Sequence, residues 1–223
     1  EKTYQYYDGE LLCHGAVWAT ISGPIRVISA MSHGCVPIGT PRTITKCDGN
    51  IVYEVDDQPV LEVLKDYLND HEIHAWDKAA VNLGLAFPLQ TNTSDENNYV
   101  MRCMIAKNTA NNSVILQTAV NEGDEFWVSR RDFAKILRGT RSMANEITDK
   151  LGCKTPQLVI QVECDGRGKT ILREQEKLAL IDVLQSELGA DVPWIGLYAY
   201  AEICPLKQDN HIHNFSSIIT AIC

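Results

Sequence analysis

Residues Pro193 to Cys223 (PWIGLYAYAEICPLKQDNHIHNFSSIITAIC) constrain the fold more than any other stretch, because two apolar runs flank one short polar link. From Trp194 to Ile203 the side chains are mostly apolar, aromatic or β-branched. Pro205 has no N–H to give to a ladder, so a strand is predicted to end near Cys204. Phe215 to Cys223 reads as a second strand, and the loop-like composition of Leu206-Lys207-Gln208-Asp209-Asn210 predicts that the two form a hairpin. Side chains two apart share a strand face, which places Tyr198, Tyr200 and Glu202 on one side, with His211 and His213 together across the loop. An acid, two histidines, a thiol, tyrosines and an amide thus meet at one strand-turn-strand.

Upstream, Leu11 to Ile21 and Ile25 to Ser32 are β-rich runs about Ser22-Gly23-Pro24, which predicts an early hairpin. Ser32 to Pro41 holds two glycines and two prolines and is predicted to be irregular. Short strands follow at Arg42 to Cys47 and Ile51 to Val55, linked by Asp48-Gly49-Asn50. A helix then starts near Pro59 with Leu61, Leu64 and Leu68 on one face. A second short helix is predicted around Ala75 to Leu83. The polar break Asn92 to Asn97 marks the expected boundary between two domains, 1–91 and 92–223. Beyond it, strands are expected at about Tyr99 to Lys107, Val114 to Ala119 and Glu125 to Val128. Ser129-Arg130-Arg131-Asp132 has capping-box spacing for a helix over Arg130 to Leu151, with Phe133, Ile136, Met143 and Ile147 inward and Gly152 as its stop. Gln157 to Cys164 suits a central buried strand, and Leu178, Ile181, Leu184 and Leu188 mark an amphipathic helix ended by Gly189. The order predicts an α+β fold: a mixed, largely antiparallel sheet with hairpins at both ends and two longer amphipathic helices.

Composition narrows function by exclusion. A chain of 223 residues, 45% apolar, can bury one large core or two modest ones. Its net charge of -9 and the absence of any Lys/Arg cluster exclude nucleic acid and an anionic membrane surface as partners. No apolar run nears the roughly 20 residues that span a bilayer, and EKTYQYYDGE lacks the regions of a signal peptide, so a cytoplasmic protein is expected. The chain opens without Met and almost at once on strand-like sequence, so it is expected to be a piece of a longer protein. Eight widely spaced cysteines without a CxxC read as reduced, packed thiols rather than a disulfide framework or zinc ribbon. The sequons at Asn92, Asn111 and Asn214 then carry no meaning.

Several residues invite chemistry. Glu202 on an interior strand is costly to bury uncompensated, which points to a pocket or to a buried hydrogen bond with His213 or a backbone amide. Arg167, in Gly166-Arg167-Gly168 after a central strand, lies where ligands gather, although a solvated arginine is the simpler reading. His211, His213, Cys204 and Glu202 offer N, S and O donors, but the spacing is not that of a closed zinc site, and no metal is assigned. His71-x-x-His74 reads as surface. Cys164 beside Asp165 suggests a thiol nucleophile served by His213. The apolar strand and the adjacent acid both keep such a thiol protonated, so no catalytic residue is assigned. Gly168-Lys169-Thr170 has the tail of a phosphate loop, but the position that GxxxxGK[ST] needs as glycine is Glu163.

The segment Cys164-Asp165-Gly166-Arg167, a following helix, Gly196-Leu197-Tyr198-Ala199-Tyr200-Ala201-Glu202-Ile203-Cys204-Pro205 and His213-Asn214 resemble the C-terminal domain of FIST proteins. These are sensory domains of bacterial signal-transduction proteins and of some eukaryotic F-box proteins. Gly34-Cys35-Val36-Pro37-Ile38-Gly39, the strand Thr43 to Cys47, Gly49-Asn50-Ile51-Val52-Tyr53-Glu54 and Gln58-Pro59-Val60 are similar to the end of the N-terminal FIST domain, whose front half is absent. Two departures stand out. Ala201 replaces the usual glycine before the glutamate and narrows the space for a ligand backbone, and Ser216 replaces threonine but keeps the hydroxyl. The resemblance implies a sensor of a small metabolite, amino acids being proposed ligands, without a cofactor and coupled to an output module in the same or another chain. It implies a ligand wall of Cys164, Arg167, Tyr198, Tyr200, Glu202, His213 and Asn214, in which Glu202 holds an ammonium, Arg167 forks onto a carboxylate and tyrosines line the pocket. The alternative is a protein-protein interaction domain of the F-box-associated type, which needs an exposed apolar patch and no enclosed pocket. A cysteine- or metal-dependent enzyme stands behind both.

Overall fold

The computed structural model describes residues 4–69, 71–72, 75–76, 80–89, 99–206 and 209–223. The polar break Asn92 to Asn97, part of the helix expected at Ala75 to Leu83, His74 of the histidine pair and Lys207-Gln208 lie outside those residues.

The chain starts with a hairpin of β1 (Tyr4–Tyr7) and β2 (Glu10–Cys13). Its turn residues Asp8 and Gly9 both have positive φ, as the favoured two-residue hairpin turns require. The hairpin expected about Ser22-Gly23-Pro24 does not form, because β3 (Val27–Ser32) pairs instead with a strand from the far end of the chain. Ser32 to Pro41 is also more regular than expected. From Cys35 it belongs to β4 (Cys35–Asp48), which absorbs Gly39 and Pro41 in a bulge where the register against β11 (Glu125–Arg131) jumps from Ile38↔Val128 to Arg42↔Phe126. Pro37 and Pro41 precede the part of β4 that pairs with β5 (Ile51–Val55), so only one side of the strand is laddered there and a missing N–H is tolerated.

The larger sheet has the order β8-β7-β11-β4-β5-β10-β9, with β6 (Gln58–Pro59) on β5. Here β7 is Leu83–Pro88, β8 Tyr99–Arg102, β9 Met104–Asn108 and β10 Ser113–Leu116. Strands from both sides of residues 90–98 therefore share one ladder system. Helix α1 (Val60–Lys65) starts behind Pro59 as predicted and packs Val60, Val63 and Leu64 onto this sheet with Ile44, Leu85, Leu116 and Phe126.

The smaller sheet has the order β13-β12-β16-β3, with β12 (Leu158–Cys164) central, β13 (Trp194–Ala199) parallel to it and β16 (Ser217–Ile222) antiparallel. Helices α2 (Phe133–Leu151) and α3 (Glu174–Leu188) cover one face of it through Met143, Ala144, Ile147, Leu184 and Leu188. Helix α2 begins later than its spacing predicts, because β11 runs on through Arg131 to pair with Cys35, and Asp132 becomes the N-cap by accepting the Lys135 N–H at 2.9 Å. Gly152 ends it. In α3 the buried stripe is Leu180, Leu184 and Leu188, whereas Leu178 and Ile181 are exposed. Two apolar stripes run along this helix, and packing on the sheet selected one. The fold is α+β with mixed, largely antiparallel sheets, in line with the sequence.

The terminal strand-turn-strand requires the main correction. The expected strand breaks at Tyr200-Ala201 into β13 and β14 (Glu202–Leu206), and β14 forms its hairpin with β15 (Asp209–His213). The two expected hairpin arms, β13 and β16, lie on opposite sides of β12. The periodicity of two is lost at the break, so Tyr198, Tyr200 and Glu202 do not share a face.

Candidate functional site

The break in the terminal segment sits on the seam between the two sheets. Five parts of the chain meet there: Cys103 between β8 and β9, Gln117 after β10, the Cys164-Asp165-Gly166 turn after β12, Tyr200 between β13 and β14, and Asn214-Phe215 between β15 and β16. They enclose a cleft of about 370 Å³, within the usual range for small-molecule pockets.

Asn214 stitches the walls. Its Oδ1 accepts the Cys103 N–H at 2.9 Å, its Nδ2 donates to Gln117 Oε1 at 2.6 Å, and Gln117 Nε2 donates to the Tyr200 carbonyl at 2.9 Å. On the floor, the Phe215 N–H points at Cys164 Sγ (3.2 Å), and the Cys164 N–H donates to the Ser216 carbonyl at 2.8 Å. Phe215 adopts φ 61°, a conformation unusual for a bulky residue, which costs about 1–3 kcal/mol and persists only where the surroundings hold it. The fixing group is Arg131, whose guanidinium lies 3.9 Å from the Phe215 ring centroid and donates to the carbonyls of Gly166 (2.6 Å) and Val81. The cleft floor is thus set from beneath.

Behind Cys164 lies Glu202, 1% exposed. Its Oε2 accepts the Ser216 hydroxyl at 2.8 Å, while Oε1 has no hydrogen-bond partner. Burial, opposed by the hydrogen bonds it accepts, pushes its carboxyl up to about 7. His213, its register partner across β14 and β15, is equally buried. Its Nε2 donates to the Cys204 carbonyl at 3.1 Å, which leaves Nδ1 as an unpartnered acceptor, and burial lowers the ring to about 4. His211 does stand beside it, with ring centroids 6.2 Å apart. Among the described residues no group of three or more His, Cys, Asp or Glu side chains converges to hold a metal ion. Cys164 is raised by burial and by the nearby Glu202, so the thiol stays protonated, and His213 is turned to a carbonyl rather than to it. No activated nucleophile results.

The structure brings Cys164, Tyr200 and Asn214 together on the cleft, whereas Glu202 and His213 are buried and do not line it. Arg167 and Tyr198 fall elsewhere. Arg167 is 1% exposed; its Nη1 donates to Glu163 at 2.6 Å and its Nη2 to Thr140 Oγ1 at 2.8 Å, so it ties β12 to α2 and offers no fork to a ligand. The Gly166–Gly168 turn carries its side chain inward, where it pairs with the buried Glu163. Tyr198 lines a separate groove on the α3 side of β13 with Gly168 and Ile181. Cys103, Gln117, Arg131 and Phe215 were not foreseen as site residues, for they lie far apart in sequence and carry no motif. Asn214, which was foreseen, is the residue that hydrogen-bonds two of them, Cys103 and Gln117.

A family model for the FIST N domain matches residues 1–58, and one for the FIST C domain matches residues 61–205. An uncharacterized protein of Mycobacterium bovis is 23% identical over 219 residues, covering 96% of this chain and 55% of its own length. An uncharacterized protein of Mycobacterium tuberculosis is 22% identical over 220 residues with the same coverage, and one of Methanocaldococcus jannaschii is 24% identical over 177 residues, 75% of this chain and 33% of its own. The chain therefore spans about half the length of the mycobacterial relatives it matches. No solved structure matches it.

Proposed function

This chain belongs to the FIST family, whose domains serve sensing and signal transduction, and from that premise we propose that it binds a small metabolite in the seam cleft and relays occupancy to an output module. One observation carries the reading: the cleft is floored by Cys164 to Gly166 and walled by Tyr200 and Asn214, separate parts of the chain joined across the seam by hydrogen bonds through Asn214 and Gln117. Asp165 is its one charged lining residue among those described. An amine-bearing ligand finds acceptors there and an aromatic face, whereas a carboxylate finds no cation, so an amino acid enters ammonium first with its carboxylate toward solvent. The cleft is contributed by both sheets, so a ligand that prefers one arrangement of the seam shifts the relation between them, which is what an output module needs. No helix among the described residues is long and apolar enough to cross a membrane, which fits the cytoplasmic setting included in this proposal.

A thermal-shift screen of amino acids and small amines tests it. A ligand at about a hundredfold excess over its Kd should raise the melting temperature by about 5 °C or more. Tyr200→Ala and Asp165→Asn should lose that response while melting like wild type without ligand. Equal responses in wild type and both variants would place the binding elsewhere.

A further inference from the structure

The exposed apolar residues of the smaller sheet are concentrated at one edge. Strand β13 is the edge strand, parallel to β12 on one side, and no described strand pairs its other side. Ile195 is 62% exposed, Leu197 59% and Tyr198 48%. On the flanking helix α3, Leu178 and Ile181 are also exposed, and Ile181 shares a groove with Gly196, Leu197 and Tyr198. An open row of backbone N–H and C=O groups on a flat apolar strand is a pairing template, and natural edges are normally blunted by charge, proline or a bulge. Trp194 to Tyr200 contains none of these: no charged residue, no proline, and an uninterrupted register against β12 from Trp194 to Ala199.

We propose that two copies of this chain associate edge to edge through β13, antiparallel about a two-fold axis, to form one continuous eight-stranded sheet. A two-fold axis normal to the sheet keeps both α3 helices on the same face, so the exposed Leu178 and Ile181 of each copy meet the other across the axis. Charge does not oppose contact along the strand itself, although α3 carries Glu174, Glu176, Asp182 and Glu187 against Lys177, which makes the contact sensitive to salt. A chain of net charge -9 repels its copy over most of its surface, whereas Trp194 to Tyr200 carries no charge. The five side chains expose on the order of 500 Å² of apolar surface, comparable to the largest patches on monomers, and two copies together reach roughly 1,000 Å², the lower bound of a specific interface.

Sedimentation velocity on the purified chain over a concentration series tests the proposal. A reversible dimer is expected, strengthened by salt, with slowed amide exchange over residues 195–199 at high concentration. Leu197→Lys and Ile195→Lys, both at exposed positions, should weaken it at least about tenfold. Val27→Lys on the opposite sheet edge and Trp18→Lys in the exposed N-terminal segment should leave it unchanged. A monomer at every concentration overturns the proposal. So does a dimer that survives Leu197→Lys, or one lost in Val27→Lys or Trp18→Lys; circular dichroism of each variant separates these results from misfolding.

Discussion

Two buried carboxylates a few residues from the same cleft have opposite circumstances. Glu163 on β12 meets Arg167 at 2.6 Å and receives Gln161 Nε2 at 3.3 Å, so its charge is answered within the protein. Glu202 on β14 has one hydroxyl and an unpartnered oxygen, and its carboxyl rises to about 7. The first is an internal fastening between strand and helix. The second is a buried acid with one unpartnered oxygen and no cation among its described partners, so burial raises it toward neutral pH. Burial alone thus says little about function; the partner decides it.

The largest effect is expected from breaking the satisfied pair. Arg167→Ala leaves Glu163 buried without a cation and should cost about 3–5 kcal/mol in urea unfolding. The double variant Glu163→Gln with Arg167→Met should recover most of that, since the penalty arises from the lone charge. A cost below about 1 kcal/mol for Arg167→Ala would return the arginine to the list of ligand candidates.

Next come the titrations of the unsatisfied side. Glu202 moves from 4.5 up to about 7 on folding, so its unfolded form ionises first and stability falls as pH rises through that window. His213 moves from 6.5 down to about 4, so its unfolded form protonates first and stability falls as pH drops through that window. Between them the slopes oppose, and wild type should be nearly flat from 4.5 to 6.5. Glu202→Gln should expose the histidine as a rise of about 2 kcal/mol with increasing pH, and His213→Gln should expose the acid as a similar fall. Denaturant midpoints across pH measure both. If the two variants track wild type, neither group is buried as described.

Ser216→Ala should cost about 1 kcal/mol and push the Glu202 carboxyl higher, moving the midpoint of its titration upward in NMR. Smallest is Tyr200→Ala. At 83% exposure its effect on unfolding should stay within about 0.5 kcal/mol, so any loss of ligand response in this variant reports recognition and not stability.

Much of this was legible from local patterns. The helix behind Pro59, the central strand ending at Cys164 and the stops at Gly152 and Gly189 follow from caps, apolar periodicity and backbone preference, which act over a few residues. The strands on either side of Asp48-Gly49-Asn50 follow in the same way. Where local and distant demands competed, the distant one won. β3 left its expected hairpin for β16, β11 ran two residues into the expected helix to pair with Cys35, and Arg167 turned from solvent to Glu163.

The sequence by itself determined most of the strands and helices, that the chain is acidic with a cluster of polar and thiol side chains at its end, and the family resemblance. Tertiary structure alone decided which members of that cluster meet. Glu202 is separated from Tyr198 and Tyr200 by a two-residue break whose position no periodicity announces, and the cleft is assembled from Cys103, Gln117, Cys164, Tyr200 and Asn214, residues up to 111 apart that are joined by hydrogen bonds across the seam. Propensity is a property of neighbours in sequence; burial and hydrogen-bond satisfaction are properties of neighbours in space, and they fix which of these side chains is fastening and which is free to bind.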